Sequence, residues 1–462
     1  MMHQPMKTKN KTAARIPLLA CLSLAFLLPV SCATAPRTAA SQAVRIPPYL
    51  SSAAPARGAL IDAVPLAMES ASGYLDTLKP EILGLKLNVQ PVAKAGFFGR
   101  LDSLKPAMKP VRQIRIHYWS EDARGRPIQL SGIVYLPAGG GEDRQSVPLL
   151  LFCHGTQVLR DRVPSRLSGS ERPLAVVAAA AGMAVAMPDY PGLGDGEGFH
   201  PYCHAASLGH ACVDMLRAAR ALLRLPGVAP LYAESPCTLV AGYSEGGYAA
   251  MAAFRELTLT AHGEFPLKAV FPMAGPFDMS VTMKDLMLDE APIVAPYYLP
   301  FTILGWSASH PAMRPAEALK DEYLDALLPL FDGRNSASRI NGQITALQGV
   351  AADKGVAAAM LRGGFRRMLT APEGSEEARA LSAALKENDI WDWPYDPEVP
   401  VYFMAVPKDE VVPFANSRKA LDACRARGGR GELRELQQAG HESGGYEACG
   451  FMLLKAWDIL GM

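Results

Sequence analysis

The stretch 238–250, TLVAGYSEGGYAA, places a serine where it can act as a nucleophile. A short apolar run ends at Gly242, and small residues that favour a helix follow Gly246. This order predicts a strand, a sharp turn and a helix, with Ser244 exposed at the turn. A serine hydroxyl is a weak nucleophile and needs a neighbouring base and N–H donors that face the developing oxyanion. The GxSxG pattern therefore predicts nucleophilic catalysis by Ser244.

An acid and a base for this serine stand in the last part of the chain. Asp409 follows the apolar run 400–406, and His441 follows the run 433–437. Catalytic groups in open α/β sheets gather beyond the carboxyl ends of the strands. Ser, Asp, His is also a known chain order for a nucleophile, an orienting acid and a base. We expect Ser244 to be the nucleophile, His441 the base and Asp409 the acid that orients the imidazole.

Four other acids lie near these positions. Asp396 precedes its strand and so falls at the opposite end of the sheet, whereas Glu410 is the immediate neighbour of Asp409. We favour Asp409 over Glu410 because the turn residue after the strand should face the cleft. Glu245 and Glu442 flank the predicted triad, where they either tune its charge or are exposed loop acids.

The oxyanion needs two backbone donors. One is expected to be the N–H of Glu245, directly after the nucleophile, because it opens the helix. The other should come from the loop after the first parallel strand, which is 154–157, His-Gly-Thr-Gln. We favour the N–H of Thr156, with that of Gln157 as the alternative.

Strand and helix patterns alternate around these residues. Two runs with alternating apolar residues, 114–118 and 128–136, flank a turn and predict a β-hairpin. The later strand patterns are 148–153, 183–187, 238–241, 268–273, 400–406 and 433–437; the helix patterns are 174–181, 207–225, the segment after Ser244, 413–426 and 446–460. This order predicts an α/β fold with a mostly parallel sheet and helices on both faces.

The alternation stops between residues 279 and 395. Helical patterns at 316–331, 356–369 and 376–385 occur there without a clear strand. We expect an inserted helical cap that leaves and re-enters at the carboxyl ends of the sheet and so roofs the cleft. It opens with the apolar and aromatic stretch 291–306, which includes Tyr298 and Phe301. This stretch either lines an acyl pocket or buries the cap on the sheet.

These segments resemble the α/β-hydrolase superfamily and, more narrowly, the secretory lipase family, which comprises the fungal lipase A type and bacterial relatives. The matching segments are 154–156, 189–194, 200–202, the GYSEGG turn, 274–278 and the loops of Asp409 and His441. The resemblance implies an α/β-hydrolase fold with an inserted helical cap. It also implies hydrolysis of carboxylic esters through an acyl-enzyme, with neither a metal nor an organic cofactor. It assigns Asp189 and Tyr190 to a loop at the cleft rim, without a catalytic role.

The resemblance and the patterns together predict the domain organisation. Residues 1–35 are expected to be a signal peptide, 36–110 a tether and an N-terminal extension, and 279–395 the helical cap. Residues 111–278 and 396–462 are expected to form the two parts of the hydrolase core. The composition indicates no oligomeric state.

The charge balance argues against a nucleic-acid partner. The chain of 462 residues carries 46 basic and 45 acidic residues, a net charge of +1, so it presents no global field for phosphates. A hydrophobic content of 49% allows a sizeable core. We expect a small-molecule or lipid ester as the partner of the site.

The cysteines and histidines raise two further possibilities. Cys203 with Cys212, and Cys424 with Cys449, are candidate disulfide pairs in an oxidising compartment. His204 and His210 are candidate metal ligands, but their spacing matches no usual zinc pattern. No metal is therefore expected.

The N-terminus has the pattern of a signal peptide. Basic residues precede an apolar run at 16–28, which is too short for a membrane span of about 20 residues. Residues 30–32, Val-Ser-Cys, are typical of a bacterial lipobox, and Pro29 departs from it; 33–35, Ala-Thr-Ala, offers an ordinary cleavage site. We expect an exported protein, in the periplasm, in the outer membrane through a lipidated Cys32, or outside the cell.

Three functions fit this sequence. The first is a secreted or lipid-anchored serine esterase or lipase, and the second is a peptidase or amidase on the same scaffold, because an acyl-enzyme forms from esters and amides alike. The third is a catalytically inactive surface binding protein. The complete Ser, Asp, His set argues against the third.

Export predicts a processed chain. The mature protein should begin at a lipid-modified Cys32, or without lipid at Pro36 or a nearby residue after cleavage behind Ala35. Mass spectrometry of the mature N-terminus distinguishes these two products. Recovery of a cytoplasmic protein that retains Met1 would contradict both.

Overall fold

The alternating apolar patterns of the chain build one ten-stranded sheet. In the computed structural model the described residues are 44–45, 56–71, 90–139, 144–350 and 354–462. The expected signal peptide, Cys32 and residues 36–43 of the tether lie outside them. The described residues all belong to one compact unit, Ala39–Met462. Within the described ranges, every helix is too short or too polar to cross a bilayer.

The sheet and its helices are numbered in chain order. The strands are β1 (Val44–Arg45), β2 (Leu60–Glu69), β3 (Val111–Glu121), β4 (Pro127–Pro137), β5 (Gln145–Cys153), β6 (Ala184–Pro188), β7 (Tyr232–Tyr243), β8 (Leu267–Met273), β9 (Pro400–Ala405) and β10 (Arg430–Glu435). The helices are α1 (Gln90–Lys94), α2 (Phe97–Leu104), α3 (Arg172–Ala180), α4 (Ala205–Leu223), α5 (Glu245–Leu259), α6 (Lys284–Leu288), α7 (Tyr298–Trp306), α8 (Pro315–Ala318), α9 (Asp321–Leu327), α10 (Ala337–Gln348), α11 (Gly363–Thr370), α12 (Glu376–Glu387), α13 (Ala415–Ala426) and α14 (His441–Leu460).

The sheet is mostly parallel, as the sequence predicted. Its strand order is β1-β2-β3-β4-β6-β5-β7-β8-β9-β10. All neighbours from β6 to β10 in this order are parallel. The first strands, up to the β4–β6 pair, are antiparallel, and β3 and β4 form the predicted hairpin.

Two hydrophobic cores cover the two faces of the sheet. On β5, Leu149 and Leu151 belong to the core that contains residues of α4 and α5, whereas Leu150 and Phe152 belong to the core of α3 and α14. A strand that is buried on both faces must be apolar throughout, which is why 148–153 lacks an alternating pattern. Each such side chain contributes roughly 1.5–3 kcal/mol by leaving water.

The N-terminal extension adds a strand to the sheet. β2 pairs with β3 in an antiparallel register that sets Ala63 opposite Ile116. Before it, the Arg57 guanidinium contacts the carboxylates of Asp214 and Glu256 at 3.0 and 2.5 Å, and the Asp214 side chain is fully buried. Paired burial of this kind is stable only while both partners are present. The extension therefore belongs to the core fold.

The segment 279–395 contains α6 to α12 and, among its described residues, contributes no strand to the sheet. Its two ends meet: Ile390 N–H donates to Phe277 O at 2.9 Å, and Ser280 Oγ donates to Asp389 Oδ2 at 2.6 Å. The chain then continues past Trp393, whose ring packs on Phe254 of α5 at 4.9 Å. The cap thus leaves and returns at one place beyond the end of β8.

Several helix boundaries differ from the sequence patterns. The pattern 316–331 is split into α8 and α9, because Leu319 adopts an extended conformation (φ −99°, ψ 145°) and forms a bridge with Leu361. The pattern 356–369 is likewise divided before α11. Helix α10 was not predicted; Ser336 caps its start by accepting from Arg339 N–H, and Gly349 ends it in the left-handed region.

Helix α14 begins at His441, five residues before the predicted start at residue 446. Gly444 and Gly445 weaken the helical pattern of its first turns. The structure shows the reason for one of them: a Cβ at Gly444 would lie 2.4 Å from Val406 Cγ2 and 2.8 Å from the Tyr243 hydroxyl. Gly444 is therefore a helical residue that allows the first turns of α14 to pack closely against Val406 and Tyr243, and it does not mark the end of a loop.

The candidate disulfides are wrong. The six described cysteines are all unpaired, and the neighbour of Cys212 is Cys153, at an Sγ–Sγ distance of 3.5 Å, rather than Cys203. Burial raises the pKa of the Cys424 thiol to about 11 and that of Cys449 to about 12. Thiols with a raised pKa are weak nucleophiles and behave as small apolar core groups.

Candidate active site

Ser244 lies on a strained turn between β7 and α5. Its backbone is at φ 61° and ψ −125°, a region that residues other than glycine rarely adopt. A Cβ at Gly242 would lie 2.1 Å from Gly246 O, and one at Gly246 would lie 2.1 Å from Cys153 O. The two glycines therefore allow β7 to turn into α5 directly against β5. Strand, turn and helix occur where the sequence predicted them.

The structure brings together the three residues of the predicted triad. His441 Nε2 is 2.8 Å from Ser244 Oγ, and His441 Nδ1 is 2.7 Å from Asp409 Oδ2. The Asp409 side chain is fully buried and that of His441 is 7% exposed. Because a carboxylate only accepts, Nδ1 carries a hydrogen and Nε2 is left to accept the serine proton. This is the arrangement that a serine nucleophile requires.

Asp409 and Glu410, the two neighbouring candidates for the orienting acid, have different contacts. Asp409 Oδ1 accepts from the N–H groups of Val411 and Val412 at 2.9 and 2.8 Å, which fixes the carboxylate against His441. Both oxygens of Glu410 instead accept from the His441 backbone N–H at 3.1 Å. Glu410 therefore holds the first turn of α14. Only Asp409 contacts the imidazole ring.

Tyr243 holds the base from the other side. Its hydroxyl donates to His441 O at 2.6 Å, and its ring centroid lies 5.0 Å from the imidazole centroid. Burial raises the pKa of this phenol well above its ordinary value, and the nearby Asp409 carboxylate raises it further. The hydroxyl therefore stays protonated and remains a donor. The sequence analysis gave Tyr243 no role.

The expected oxyanion donors lie beside Ser244. Glu245 is the first residue of α5, so its N–H has no acceptor within the helix. The loop 154–157 follows β5, and a Cβ at Gly155 would lie 3.6 Å from Tyr243 O. No described residue accepts a hydrogen bond from the N–H of Thr156 or of Gln157. Free N–H groups on both sides of the serine are available to a substrate oxygen.

The Glu245 side chain is fully buried, so it is not an exposed loop acid. Its Oε1 lies 2.6 Å from His200 Nε2, and the other nitrogen of that ring lies 2.9 Å from Pro191 O. A carbonyl oxygen only accepts, so His200 Nδ1 carries a hydrogen. Glu245 Oε2 has no partner among the described residues. Glu442, in contrast, is exposed.

An apolar cavity of about 60 Å³ lies within the cap. Methionine, leucine, isoleucine and aromatic side chains dominate its wall, with Leu299 and Ile303 from α7 among them. Tyr298 also lines it, and its hydroxyl lies beside Thr156; burial raises the pKa of this phenol to about 12, which the hydroxyls of Tyr297 and Thr156 oppose. Tyr298 thus contacts both the cavity and the loop 154–157, although no residue of that loop lines the cavity.

Two expectations about the cap and the histidines are refined. Phe301 does not line the cavity; its ring stacks on Phe331 at 5.7 Å between the centroids. His204 caps α4, accepting from Ser207 N–H, and His210 lies 3.2 Å from Glu121. Within the described residues, no three side chains are grouped as ligands for a metal ion.

Besides Tyr243, three side chains around the site were not predicted to have a role. Glu171 accepts from Gly155 N–H at 3.0 Å, Tyr190 donates to His154 O at 3.1 Å, and His200 pairs with Glu245. Tyr190 and His200 stood in matched segments without a role. Their place after β6, the neighbour of β5, was the available signal, because the carboxyl ends of adjacent parallel strands share one edge. Nothing in the sequence around Glu171 pointed to the site.

Solved structures share this architecture. A candidate hydrolase from Legionella pneumophila aligns with a TM-score of 0.67 and 21% identity over 86% of this chain and 97% of its own. The rice cell wall degrading esterase LipA from Xanthomonas oryzae aligns with a TM-score of 0.65 and 23% identity over 88% and 97%. Candida antarctica lipase A aligns with a TM-score of 0.55 and 15% identity over 84% and 78%. No protein-family model and no curated protein matches the chain.

These similarities establish the fold. At 15 to 23% identity, alignment over most of each chain shows a common architecture, and the chain has the α/β-hydrolase fold that the sequence indicated. A lipase A structure is among the matches, in agreement with the resemblance drawn from the sequence motifs.

The turn around Ser244 predicts a contrast between two glycine substitutions. Gly246→Ala should lower the free energy of unfolding by about 2 kcal/mol or more, because the added methyl group meets the Cys153 carbonyl. Gly342→Ala, in the middle of α10 with open space around it, should raise the free energy by about 0.5–1 kcal/mol. Urea unfolding of both variants measures the difference. Equal stabilities would show that the turn is not so closely packed.

Proposed function

We propose that the protein is a serine hydrolase that cleaves carboxylic esters through an acyl-enzyme on Ser244. The observation that carries the proposal is the continuous contact from Ser244 Oγ through the His441 ring to Asp409, at 2.8 and 2.7 Å, on a turn that exposes the serine. The lipase and esterase structures with the same fold support it. The donor set of the site requires no cofactor and no metal for this chemistry.

In the acylation step, Ser244 Oγ attacks the ester carbonyl carbon while His441 Nε2 takes the hydroxyl proton. The carbonyl oxygen becomes an oxyanion and accepts from the N–H of Glu245 and from that of Thr156 or Gln157. The imidazolium keeps its Nδ1 hydrogen, which stays hydrogen-bonded to Asp409, and the Asp409 carboxylate stabilises the new positive charge. His441 then gives its Nε2 proton to the leaving alcohol oxygen, and the acyl group stays on Ser244.

Deacylation repeats these steps with water. His441 Nε2 takes a proton from the water, whose oxygen attacks the acyl carbon, and the same N–H groups stabilise the second oxyanion. The proton then passes from His441 to Ser244 Oγ, and the carboxylic acid leaves.

The cap supports a substrate with an apolar acyl group. Its cavity is lined mostly by apolar side chains, and one lining residue, Tyr298, has its hydroxyl beside Thr156 of the oxyanion loop. Burial of each methylene there is worth roughly 0.8 kcal/mol. We therefore propose a small-molecule or lipid ester as the substrate, rather than a nucleic acid.

The N-terminal pattern supports action outside the cytoplasm. The basic residues, the apolar run and Cys32 are the features of an exported chain, with an outer-membrane lipoprotein, a periplasmic enzyme or an extracellular enzyme as the product. In the lipoprotein form, acylated Cys32 would attach the hydrolase to the membrane.

A peptidase or amidase is the second candidate on the same catalytic residues. The acyl-enzyme route serves amides as well as esters, so the two activities share Ser244. The apolar cavity favours an ester with an alkyl acyl group. A panel of ester and amide substrates with the same acyl group distinguishes the two activities, and labelling of Ser244 by a fluorophosphonate distinguishes both from an inactive binding protein.

The triad geometry predicts how its variants behave. Ser244→Ala should abolish ester hydrolysis without unfolding the protein, and His441→Ala should be nearly as severe. Asp409→Asn should lose on the order of 10⁴ in kcat, because the wrong tautomer then faces the serine. Glu410→Gln should retain most activity, because an amide oxygen still accepts from the His441 N–H.

Initial rates on a p-nitrophenyl ester measure these losses, and circular dichroism of each variant checks that it is folded. A fully active Ser244→Ala variant would refute the proposed function. An active Asp409→Asn beside an inactive Glu410→Gln would transfer the acid role to Glu410.

The cavity predicts a limit on acyl length. Wild-type rates should rise from acetyl to longer acyl groups, by up to about fourfold per methylene, and fall once the cavity is full. Leu299→Trp fills the wall and should move the limit to shorter chains, whereas Leu347→Trp, on the exposed face of α10, should not. Phe301→Ala should lower the melting temperature and leave the limit unchanged, because its ring packs on Phe331.

Rates on p-nitrophenyl esters of increasing acyl length measure this limit for the wild type and the three variants. The same limit in Leu299→Trp and wild type would show that the acyl group binds elsewhere.

A further inference from the structure

Two successive peptide groups of the oxyanion loop are held by side chains. In the peptide that joins His154 to Gly155, the carbonyl oxygen accepts from the Tyr190 hydroxyl at 3.1 Å, and the N–H donates to Glu171 Oε1 at 3.0 Å. In the next peptide, Gly155 O lies 2.8 Å from His154 Nδ1. The remaining group is the N–H of Thr156, which has no acceptor among the described residues.

These contacts determine where the Thr156 N–H points. A peptide group is planar and trans, so its N–H is directed opposite to its carbonyl oxygen. Because His154 Nδ1 holds Gly155 O, the direction of the Thr156 N–H is set before any substrate arrives. A donor that needs no reorientation stabilises a developing oxyanion more than one that must turn.

The same rings reach the side chain of Glu245, the residue directly after the serine. Tyr190 stacks on His154 at 4.2 Å and on His200 at 5.9 Å between ring centroids. His200 Nε2 in turn lies 2.6 Å from the carboxyl of Glu245, whose N–H is the second donor. We call His154, Tyr190 and His200 the ring stack. It is buried throughout and joins His154 of the oxyanion loop to the side chain of Glu245, whose N–H is the second expected donor.

Tyr190 suits this position because of its backbone and its hydroxyl. Its φ of 71° is rare for a residue with a side chain, and such strain persists only where the surroundings impose it. Burial raises the pKa of its phenol well above the ordinary value, so the hydroxyl remains a donor to His154 O.

We propose that the ring stack and the Glu171 carboxylate set the spacing and direction of the two oxyanion N–H donors. Tyr190 and Glu171 are then positioning residues, which act through the loop 154–156 and touch no substrate. This inference rests on the proposed ester hydrolysis and adds to it the side chains that prearrange the oxyanion site.

The test uses variants that remove one contact each. Tyr190→Phe keeps the ring and deletes the hydroxyl, and Glu171→Ala deletes the acceptor of Gly155 N–H at a half-buried position. Glu171→Gln keeps an oxygen acceptor and should recover most of the Glu171→Ala loss. Tyr118→Phe is the matched control, because Tyr118 is also fully buried and donates to a backbone carbonyl, that of Ala211, at 3.0 Å.

Tyr190→Phe and Glu171→Ala should each lower kcat for a short p-nitrophenyl ester about tenfold or more, while KM changes less than about twofold, because the lost contact acts in the transition state. Affinity for a trifluoromethyl ketone, which forms an oxyanion on Ser244, should fall by the same factor as kcat. Tyr118→Phe should lower the melting temperature with kcat unchanged.

Three results would overturn the inference. They are a kcat in both site variants within about twofold of the control, a loss confined to KM, and an unchanged affinity for the ketone. These results are distinct from failure of the proposed function itself, in which the wild type hydrolyses no ester and Ser244 is not labelled by a fluorophosphonate.

Discussion

The close approach of β5, β7 and α5 at Ser244 is the constraint on which the site depends. Gly242 and Gly246 have no room for a Cβ, and Ser244 N–H donates to Met273 O of β8 at 2.9 Å, so three strand ends and one helix start meet at the serine. This packing imposes the unfavourable backbone conformation of Ser244. Its result is a hydroxyl that meets the His441 ring and a first helical N–H that has no acceptor among the described residues.

The acidic side chains around this turn, buried at Asp409 and Glu245 and exposed at Glu410, each face a hydrogen-bond partner. Asp409 faces the ring of His441, Glu410 faces the first N–H of α14, and Glu245 faces His200. An unpaired buried carboxylate would be costly and would also oppose the negative charge of the oxyanion. Because each carboxyl has a donor, the site keeps its positive N–H groups directed at the substrate.

The cap contacts the residues around the catalytic site through aromatic side chains. The Phe301 ring lies 5.8 Å from that of His200, so α7 touches the same ring that pairs with Glu245. Tyr298, about one helical turn before Phe301, lines the cavity, and its hydroxyl lies beside Thr156. The stretch 291–306 thus takes both parts that its composition allowed: some side chains line a pocket, and others bury the cap.

The sequence by itself determined the α/β architecture, the nucleophile turn and the candidates Asp409 and His441, because periodicity, glycine spacing and chain order are local properties that a single chain displays. It also predicted an inserted helical cap, although not α10 or the breaks at Leu319 and before Gly363. Only the tertiary structure separated the contacts of Asp409 from those of Glu410, buried Glu245 against His200, and brought Glu171 and Tyr190 to the oxyanion loop. These contacts join residues 16 to 45 positions apart in the chain, and their geometry depends on how the elements pack, which no local pattern encodes.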